Sequence, residues 1–413
     1  TLTGGDAADS ILGGASDDLI TGGEGIDSFV VGGGVDTITD LGTGGDEVIQ
    51  VSQAGTVNAT VINASGYIAG AGSSNVGTLN VTLSESVDGG ETVSFAAMVG
   101  TSGVNLVGNS KGNALQGSAQ ADTIDSGAGN DILTGGSEVD TFIVTAGVDS
   151  ITDLGTGGAD IVQVSAGATA QGTIINTTGY VAGAGSSNDG TLNVTLDSTV
   201  AGGSTVSFEN LTSTNNSGVD LTGNGKETVL VGSAYDDTIT GGGNNDILTG
   251  RLGIDTFNVD SGTDEITDLG TGGADIVVVS AGATADATVV NSTGYIATAD
   301  SSNTGILNVS LSAEVLDDET VSFANLTGPN GVNLVGNVED NVLFGSARAD
   351  TIEGGAGADT ITGGASADVI NAGAGANVIL DAGVGADVIT HNAANSTVSI
   401  NVTDTDVVTL TAT

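Results

Sequence analysis

Four aspartates near the start of the chain are spaced nine residues apart and could bind metal ions. An apolar residue follows each of them two positions later, and glycine pairs such as Gly4-Gly5 precede them in the same phase. These aspartates are Asp9, Asp18, Asp27 and Asp36. Glycine allows tight turns with positive φ, which leave backbone carbonyls free to point at an ion. Because calcium prefers about six to eight carboxylate and carbonyl oxygens, the spacing predicts calcium sites between stacked turns.

The same pattern returns three more times, which defines four nonapeptide blocks. Asparagine or Thr228 takes the aspartate position at some rounds, and we expect those rounds to bind calcium more weakly. The later candidate ligands are Asn113, Asp122, Asp131, Asp140 and Asp149 in block two, Asp237, Asp246, Asp255 and Asp264 in block three, and Asn341, Asp350, Asp359, Asp368 and Asn377 in block four. Serine replaces the second glycine at 117–118, 232–233 and 345–346. This loss need not abolish binding, since the backbone carbonyl remains.

The nonapeptide resembles the GGxGxDxUx repeat of the RTX (repeats-in-toxin) family, where U is a large apolar residue. The first block carries it as GGDAADSIL, GGASDDLIT, GGEGIDSFV and VGGGVDTIT. The resemblance implies an all-β fold, a right-handed parallel β-roll (β-solenoid) with multiple bound Ca²⁺ ions. Two nonapeptides would form one coil, and each x-U-x triplet would be a short strand with U inside. Within the family, the chain is most similar to bacterial S-layer and extracellular matrix structural proteins secreted by type I exporters.

A larger repeat encloses the nonapeptide blocks. The stretch ITDLGTGG occurs at 38–45, 151–158 and 266–273, and TVSF recurs in the same order. We predict three tandem large repeats, a terminal β-roll block, and a C-terminal strand with a secretion signal. Their boundaries are 1–107, 108–222, 223–335, 336–390 and 391–413. The signal is predicted from the acidic and then apolar composition of the end, from Asp404 onwards.

The segments between the blocks also have the pattern of β-strands. Leu79, Val81 and Leu83 alternate with polar residues, which is the period of a half-buried strand. We favour a continued or broadened solenoid for these segments, with small β-sandwiches as the alternative. We expect Phe29, Phe142 and Phe257 to fill the core, and the recurring Tyr67, Tyr180 and Tyr295 to be buried anchors rather than subunit or glycan contacts. Asp40, Asp153 and Asp268 follow each block and either cap its last ion or bond its closing turn.

The charge of the chain is strongly acidic. Lys and Arg number 4 against 51 Asp and Glu, a formal charge of −47. A compact chain of this charge repels itself unless cations are bound, which points to metal-linked folding. Without a basic patch to neutralise phosphates, we expect no nucleic-acid partner, and we expect no direct membrane insertion. Cysteine is absent, so bound calcium would provide the cross-links that disulfides provide in other proteins.

Catalytic residues are scarce in this sequence. His391 is the only histidine and cysteine is absent, so we predict that the chain is not an enzyme and that His391 is an ordinary surface residue. The carboxylates lie in the register of calcium ligands rather than of a glycosidase pair. The chain begins at Thr1, inside a repeat, and we expect it to be processed or part of something longer.

Three biological roles fit these observations. The first is an extracellular structural protein that self-assembles through calcium into a surface layer, filament or matrix, with cell-surface polysaccharide as a further partner. The second is the stalk of a large RTX-like adhesin, and the third is the calcium-folding secretion tail of a toxin or hydrolase. Repetition over the whole length favours the first two. Addition of calcium to the purified chain would distinguish an assembling protein from a passive stalk.

Overall fold

All regular elements that the structure describes are β-strands. The computed structural model describes residues 1–392, 399–400 and 406–411, so Asp404 of the predicted secretion signal lies outside it. No helix in the described part is long and apolar enough to cross a membrane. The chain divides into two compact units, Thr1–Val200 with Ser207–Ser217 and Ala201–Val206 with Gly218–Thr413. Each unit is a parallel β-solenoid, which confirms the predicted all-β fold class.

The first unit contains a parallel sheet of 13 strands and the first strands of two further parallel sheets. Its strands are Leu2–Thr3, Ser10–Leu12, Leu19–Thr21, Ser28–Leu41, Val48–Val61, Tyr67–Ile68, Ser74–Asn75, Thr78–Leu83, Thr92–Ser94, Val99–Gly100, Val104–Val107, Ala114–Gln116, Thr123–Asp125, Ile132–Thr134, Thr141–Val144, Val148–Leu154, Ile161–Val164, Thr169–Ile174, Gly179–Val181, Ser187–Asn188 and Thr191–Leu196. The chain passes from one unit to the other within two further strands, Thr205–Ser207 and Ser217–Thr222.

The second unit repeats this construction with short parallel strands. They are Val229–Val231, Asp236–Thr240, Ile247–Thr249, Thr256–Val259, Thr263–Leu269, Ile276–Val279, Thr284–Val289, Tyr295–Ile296, Ser302–Asn303, Ile306–Leu311, Thr320–Ser322, Asn333–Val335, Val342–Phe344, Thr351–Glu353, Thr360–Thr362, Val369–Asn371, Val378–Asp381, Val388–Asn392, Ser399–Ile400 and Val407–Thr411. The right-handed winding of the coils stays a prediction, based on the general handedness of parallel crossovers.

Coil length distinguishes the nonapeptide blocks from the segments between them. Inside a block, equivalent residues of neighbouring coils lie 18 positions apart, as Asp122 and Asp140 do. Between blocks the coil widens, to 22 positions from Asn58 to Asn80 and to 25 from Asn80 to Asn105. Strand pairing stays parallel across these wider coils. The predicted continued or broadened solenoid is therefore confirmed, and the sandwich alternative is wrong.

The core is a narrow column of U side chains. In the strand Thr123–Asp125, Ile124 is buried while both neighbours are partly exposed, because side chains alternate between the two faces of a strand. Phe29, Phe142 and Phe257 are fully buried, which confirms their predicted core position. The column also fixes the register, since a slip by one residue would turn every U side chain outward.

The three recurring tyrosines are buried anchors, as predicted. Each ring packs against the phenylalanine of the TVSF stretch at a centroid distance of 5.5 Å, in the pairs Tyr67–Phe95, Tyr180–Phe208 and Tyr295–Phe323. Each hydroxyl donates a hydrogen bond to a backbone carbonyl at the end of the preceding block, as Tyr180 does to Asp160 at 2.9 Å. A buried tyrosine needs such a partner for its hydroxyl. The pair therefore joins each block to the wider coils that follow.

His391 is not a surface residue, so that prediction is wrong. Its side chain is only 2% exposed and lies on the strand Val388–Asn392. The buried Ile389 is two positions earlier, and a strand places such residues on the same face. The predicted C-terminal strand began only at His391, whereas the strand in the structure begins at Val388 and places His391 on the inward face with Ile389.

Candidate metal centre

Most of the predicted ligands end a turn that leads into a short strand. Asp131, for example, directly precedes the strand Ile132–Thr134. Asp9 and Asp18 are partly exposed, whereas the side chains of the other predicted ligands are buried. The buried set is Asp27, Asp36, Asn113, Asp122, Asp131, Asp140, Asp149, Asp237, Asp246, Asp255, Asp264, Asn341, Asp350, Asp359, Asp368 and Asn377. Such burial of ionised carboxylates requires either hydrogen bonds or counter-ions.

One oxygen of each interior carboxylate is held by the preceding coil. The backbone N–H of Asn113 donates to Oδ1 of Asp131 at 2.7 Å, and the N–H of Asp131 donates to Oδ1 of Asp149 at 2.9 Å. The same bond recurs in the other blocks, as from Asp246 to Asp264 at 3.0 Å. These bonds fix the carboxylate planes and stack the aspartates in a column along the solenoid.

The second oxygen of many of these carboxylates is buried without a hydrogen-bond partner. Oδ2 of Asp131 and Oδ2 of Asp149 are two examples. The others among the predicted ligands are Oδ2 of Asp27, Asp36, Asp246, Asp255, Asp264, Asp359 and Asp368. Leaving a buried charged oxygen unsatisfied is costly, and a column of them repels itself as well. A bound cation removes both costs.

The glycines shape the surroundings of these oxygens. A methyl group added at Gly354 would lie 2.6 Å from Oδ2 of Asp359 and 2.7 Å from the carbonyl oxygen of Ala372 on the next coil. At Gly241 it would lie 2.5 Å from Oδ2 of Asp264. Only glycine therefore lets a carboxylate and a carbonyl from adjacent coils face the same region. Such a mixed, flexible set of hard oxygens suits calcium.

Side-chain carboxylates alone would not complete a site. Within the described ranges, no group of three or more His, Cys, Asp or Glu side chains is arranged to hold a metal. The remaining ligands would be backbone carbonyls of the glycine turns. These residues fit calcium, and the ion would supply the positive charge that the aspartate column lacks. They fit zinc poorly, because zinc prefers a compact set of nitrogen and sulfur ligands.

The asparagine and threonine rounds differ from the aspartate rounds. Oδ1 of Asn341 accepts the N–H of Asn337 at 3.0 Å, and Nδ2 of Asn377, in place of a second carboxylate oxygen, donates to the carbonyl oxygen of Ala372. The Thr228 hydroxyl donates to Oδ1 of Asp246 at 2.8 Å. Oδ1 of Asn113 is the exception, since it is buried without a partner. The weaker binding of calcium at these rounds stays a prediction.

Burial raises the pKa of the interior carboxylates well above the usual value for aspartate. The pKa of Asp131 rises to about 7 and that of Asp140 to about 8, chiefly through desolvation, with neighbouring carboxylates adding to the rise. The same cause raises the pKa of Asp255 to about 8 and of Asp264 to about 7. Without a cation, these groups therefore hold protons near neutral pH.

Sequence reasoning missed the carboxylates that close each block. Oδ1 of Asp160 accepts the N–H of Asp140 at 3.0 Å, and Oδ2 accepts the N–H of Gly155 at 2.8 Å. Asp275 has the same bonds in block three, and Glu47 bonds the corresponding turn of block one. In block four, Asp387 receives the N–H of Asp368. All follow glycine-containing turns, but extra residues shift them from the nine-residue phase, so a search that allowed one or two inserted residues would have found them.

The aspartates of the ITDLGTGG stretch bond the turn of the preceding coil. Asp153 accepts the N–H groups of Gly135 and Gly136 at 3.0 and 2.9 Å, one on each carboxylate oxygen. Asp40 and Asp268 make the equivalent pairs of bonds. Both carboxylate oxygens are therefore engaged by the preceding coil rather than by the closing turn, and the capping of the last ion stays a prediction.

Replacement of an interior aspartate should remove calcium. We expect Asp131→Ala to lose at least one bound ion, because the variant lacks the Oδ2 atom that has no protein partner. The matched control is Asp300→Ala, since Asp300 is exposed and outside the blocks. Titration calorimetry of both variants and the parent measures the stoichiometry. Equal ion counts in all three would refute the ligand assignment of Asp131.

The four blocks correspond to a known repeat. The family model of the RTX calcium-binding nonapeptide repeat matches in four copies, at residues 1–38, 107–152, 222–257 and 344–379. No curated protein matches the chain. The matched stretches contain the glycine turns and most of the buried, unpartnered carboxylate oxygens described above. The chain therefore contains four copies of the RTX calcium-binding nonapeptide repeat, which supports its assignment to the RTX family.

Proposed function

We propose that the chain is a calcium-dependent extracellular structural protein that assembles with copies of itself into a surface layer, filament or matrix. RTX repeats in a β-solenoid fit a calcium-dependent extracellular repeat protein. The self-assembly is our inference, and the observation that carries it is a set of exposed apolar side chains in equivalent places of the three large repeats. We assign the chain no catalytic role.

The exposed apolar residues recur once in each large repeat. Ile68, Val181 and Ile296 each follow an anchoring tyrosine and are 50%, 40% and 53% exposed. A second set precedes ligand aspartates by one residue and consists of Ile26, Val139 and Ile254. Single exposed apolar residues are common on protein surfaces, but a periodic set offers the same contact several times along one chain. Repeated weak contacts of this kind favour lattices and filaments.

Charge sets the condition for such contacts. Two surfaces of chains with a net charge of −47 repel each other, and monovalent salt only shortens the range of that repulsion. Divalent ions bound in the blocks or between copies lower the repulsion itself. We therefore propose that assembly needs more calcium than folding of the isolated chain does.

Assembly is tested by electron microscopy of the purified chain across a calcium series. We expect ordered sheets or filaments at millimolar calcium, and a strong reduction in the variant Ile68→Thr, Val181→Thr, Ile296→Thr, which should still fold with calcium. The matched control, Leu252→Thr, Leu316→Thr, Val338→Thr, changes exposed positions without large apolar counterparts in the other repeats. A parent chain that stays monomeric at millimolar calcium and high concentration would favour the passive stalk of an adhesin instead.

A further inference from the structure

One aspartate in each of the last three blocks is held differently from the interior aspartates. These residues are Asp122, Asp237 and Asp350. Each lies four residues after the serine that replaces the second glycine of its turn. Their side chains are buried like those of the interior ligands. Unlike many of those, they have hydrogen-bond partners on both carboxylate oxygens.

The serine supplies most of these bonds. At Asp122, the Ser118 N–H donates to Oδ2 at 2.6 Å, and the Ser118 hydroxyl lies 3.1 and 3.2 Å from Oδ1 and Oδ2. Oδ1 also accepts the N–H of Val104 at 2.5 Å. The hydroxyl in turn accepts the N–H of Gln120 at 3.1 Å, so it is fixed in place with its proton directed at the carboxylate.

The same arrangement recurs in the other two blocks. The N–H of Ser233 lies 2.6 Å from Oδ2 of Asp237, and the N–H of Ser346 lies 2.6 Å from Oδ2 of Asp350. The hydroxyls lie 3.0 and 2.9 Å from the respective Oδ1 atoms. Three separate copies of one geometry indicate a constructed feature rather than a chance contact.

The backbone also differs at these serines. The second residue of the turn has φ of 81° at Gly127 and 119° at Gly136, which is a left-handed conformation that favours glycine. Ser118, Ser233 and Ser346 do not have positive φ. Gly5 of block one also lacks positive φ, so this turn shape is shared with that round. What the serine adds is a hydroxyl that faces the carboxylate from within the turn.

Block one provides an internal comparison. Gly5 takes the position of these serines, and Oδ2 of Asp9 accepts only its N–H, at 2.7 Å. A methyl group at Gly4 would lie 2.7 Å from Oδ2 of Asp9 and 2.3 Å from the carbonyl oxygen of Gly22. The serine rounds keep this pairing, since a methyl group at Gly117 would lie 2.4 Å from Oδ2 of Asp122 and 2.7 Å from the carbonyl oxygen of Gly135. The added hydroxyl is therefore the feature that separates the serine rounds from the Gly5 round.

We propose that Ser118, Ser233 and Ser346 each stand in place of a calcium ion, so that one carboxylate of each later block is held by the protein alone. The first coil of these blocks is then ordered without metal and forms a template on which the calcium-dependent coils stack. The proposal rests on calcium binding by the interior rounds. It predicts that the interior rounds bind calcium and the serine rounds do not, although both match the same nonapeptide pattern.

The test is the variant Ser118→Gly, Ser233→Gly, Ser346→Gly, which restores the glycine pair at all three rounds. We expect titration calorimetry to show up to three additional calcium ions per chain, and circular dichroism to show a lower melting temperature in chelator. The control Ser137→Gly changes an exposed serine two rounds later, on the next coil, and should alter neither quantity. If the hydroxyls were calcium ligands instead, the triple variant would bind fewer ions, which would overturn the proposal, as would an unchanged count.

A second variant, Gly5→Ser, makes the opposite change in block one, and it tests the proposal even if the triple variant does not fold. A side chain at Gly5 would meet only Oδ2 of Asp9, at 3.8 Å from its Cβ, so Gly5→Ser should be tolerated. We expect it to bind one calcium fewer than the parent, and an unchanged count would overturn the proposal. A parent chain that binds no calcium would contradict the proposed function as well. A parent that binds calcium while neither variant changes the count would contradict this inference alone.

Discussion

Removal of calcium will cost the chain much of its β-structure and lower its melting temperature by roughly 10–30 °C. The reason is the column of buried carboxylate oxygens, such as those of Asp149 and Asp264, that have no protein partner. Each site occupied at 100 times its dissociation constant adds about 2.7 kcal/mol to the free energy of unfolding, and each of the two units contains several predicted sites. Magnesium should substitute poorly, because it requires a tighter octahedron of ligands.

Circular dichroism of the chain in chelator, in calcium and in magnesium measures this effect. Sodium chloride at matched ionic strength serves as the control, since screening alone should restore little of the lost structure. The melting transition should sharpen as calcium is added, because all blocks share continuous sheets within a unit. A spectrum and melting temperature that do not change after exhaustive chelation would contradict the account.

Calcium-free and calcium-bound chains should respond to pH in opposite directions. Burial raises the pKa of Asp140 to about 8 and of Asp359 and Asp368 to about 7, from 3.8. Without calcium, the folded chain then binds more protons than the unfolded chain between about pH 4 and 8. The stability that these protons confer is fully present below pH 4 and is lost as pH rises through 7 to 8. Calcium requires the deprotonated carboxylates, so its affinity should instead fall as pH drops below 7.

Melting curves at pH 5.5 and pH 8, each with calcium and with chelator, test the expected direction of the pH dependence in both states. We expect the calcium-free chain to melt higher at pH 5.5, and the increase produced by calcium to be larger at pH 8. Calorimetry in buffers of different ionisation enthalpy should also show protons released on calcium binding. A calcium-free chain that melts higher at pH 8, or a calcium affinity independent of pH, would count against buried carboxylates as the ligands.

The sequence predicted the nonapeptide blocks because each round determines its own structure. Gly22, Asp27 and Phe29 show why: the glycine permits the turn, the aspartate ends it, and the apolar residue enters the core two positions later. The wider coils were harder to predict, because an alternation such as Leu79 and Val81 indicates a strand but not its partner. Their pairing depends on contacts 22 to 25 residues away, for which the sequence carries no local signal.

The ligand set was predicted less completely than the fold. Asp160 and Asp275 were missed because two extra residues in the preceding turn shift them from the nine-residue phase, although their coils stack in the same column. The serine rounds were interpreted as weakened glycine pairs, since a sequence does not show that a hydroxyl points at a carboxylate four residues later. Both features depend on side-chain direction in the folded coil, which periodicity alone does not determine.

The central claim is that calcium lies beside the buried, unpartnered carboxylate oxygens of the nonapeptide blocks. Crystals of the calcium-loaded chain, measured at a wavelength where calcium scatters anomalously, locate the ions directly. The account predicts anomalous peaks about 2.3–2.6 Å from Oδ2 of interior aspartates such as Asp131, Asp149 and Asp264. Peaks confined to exposed carboxylates such as Asp46 and Asp300, with none inside the blocks, would contradict it.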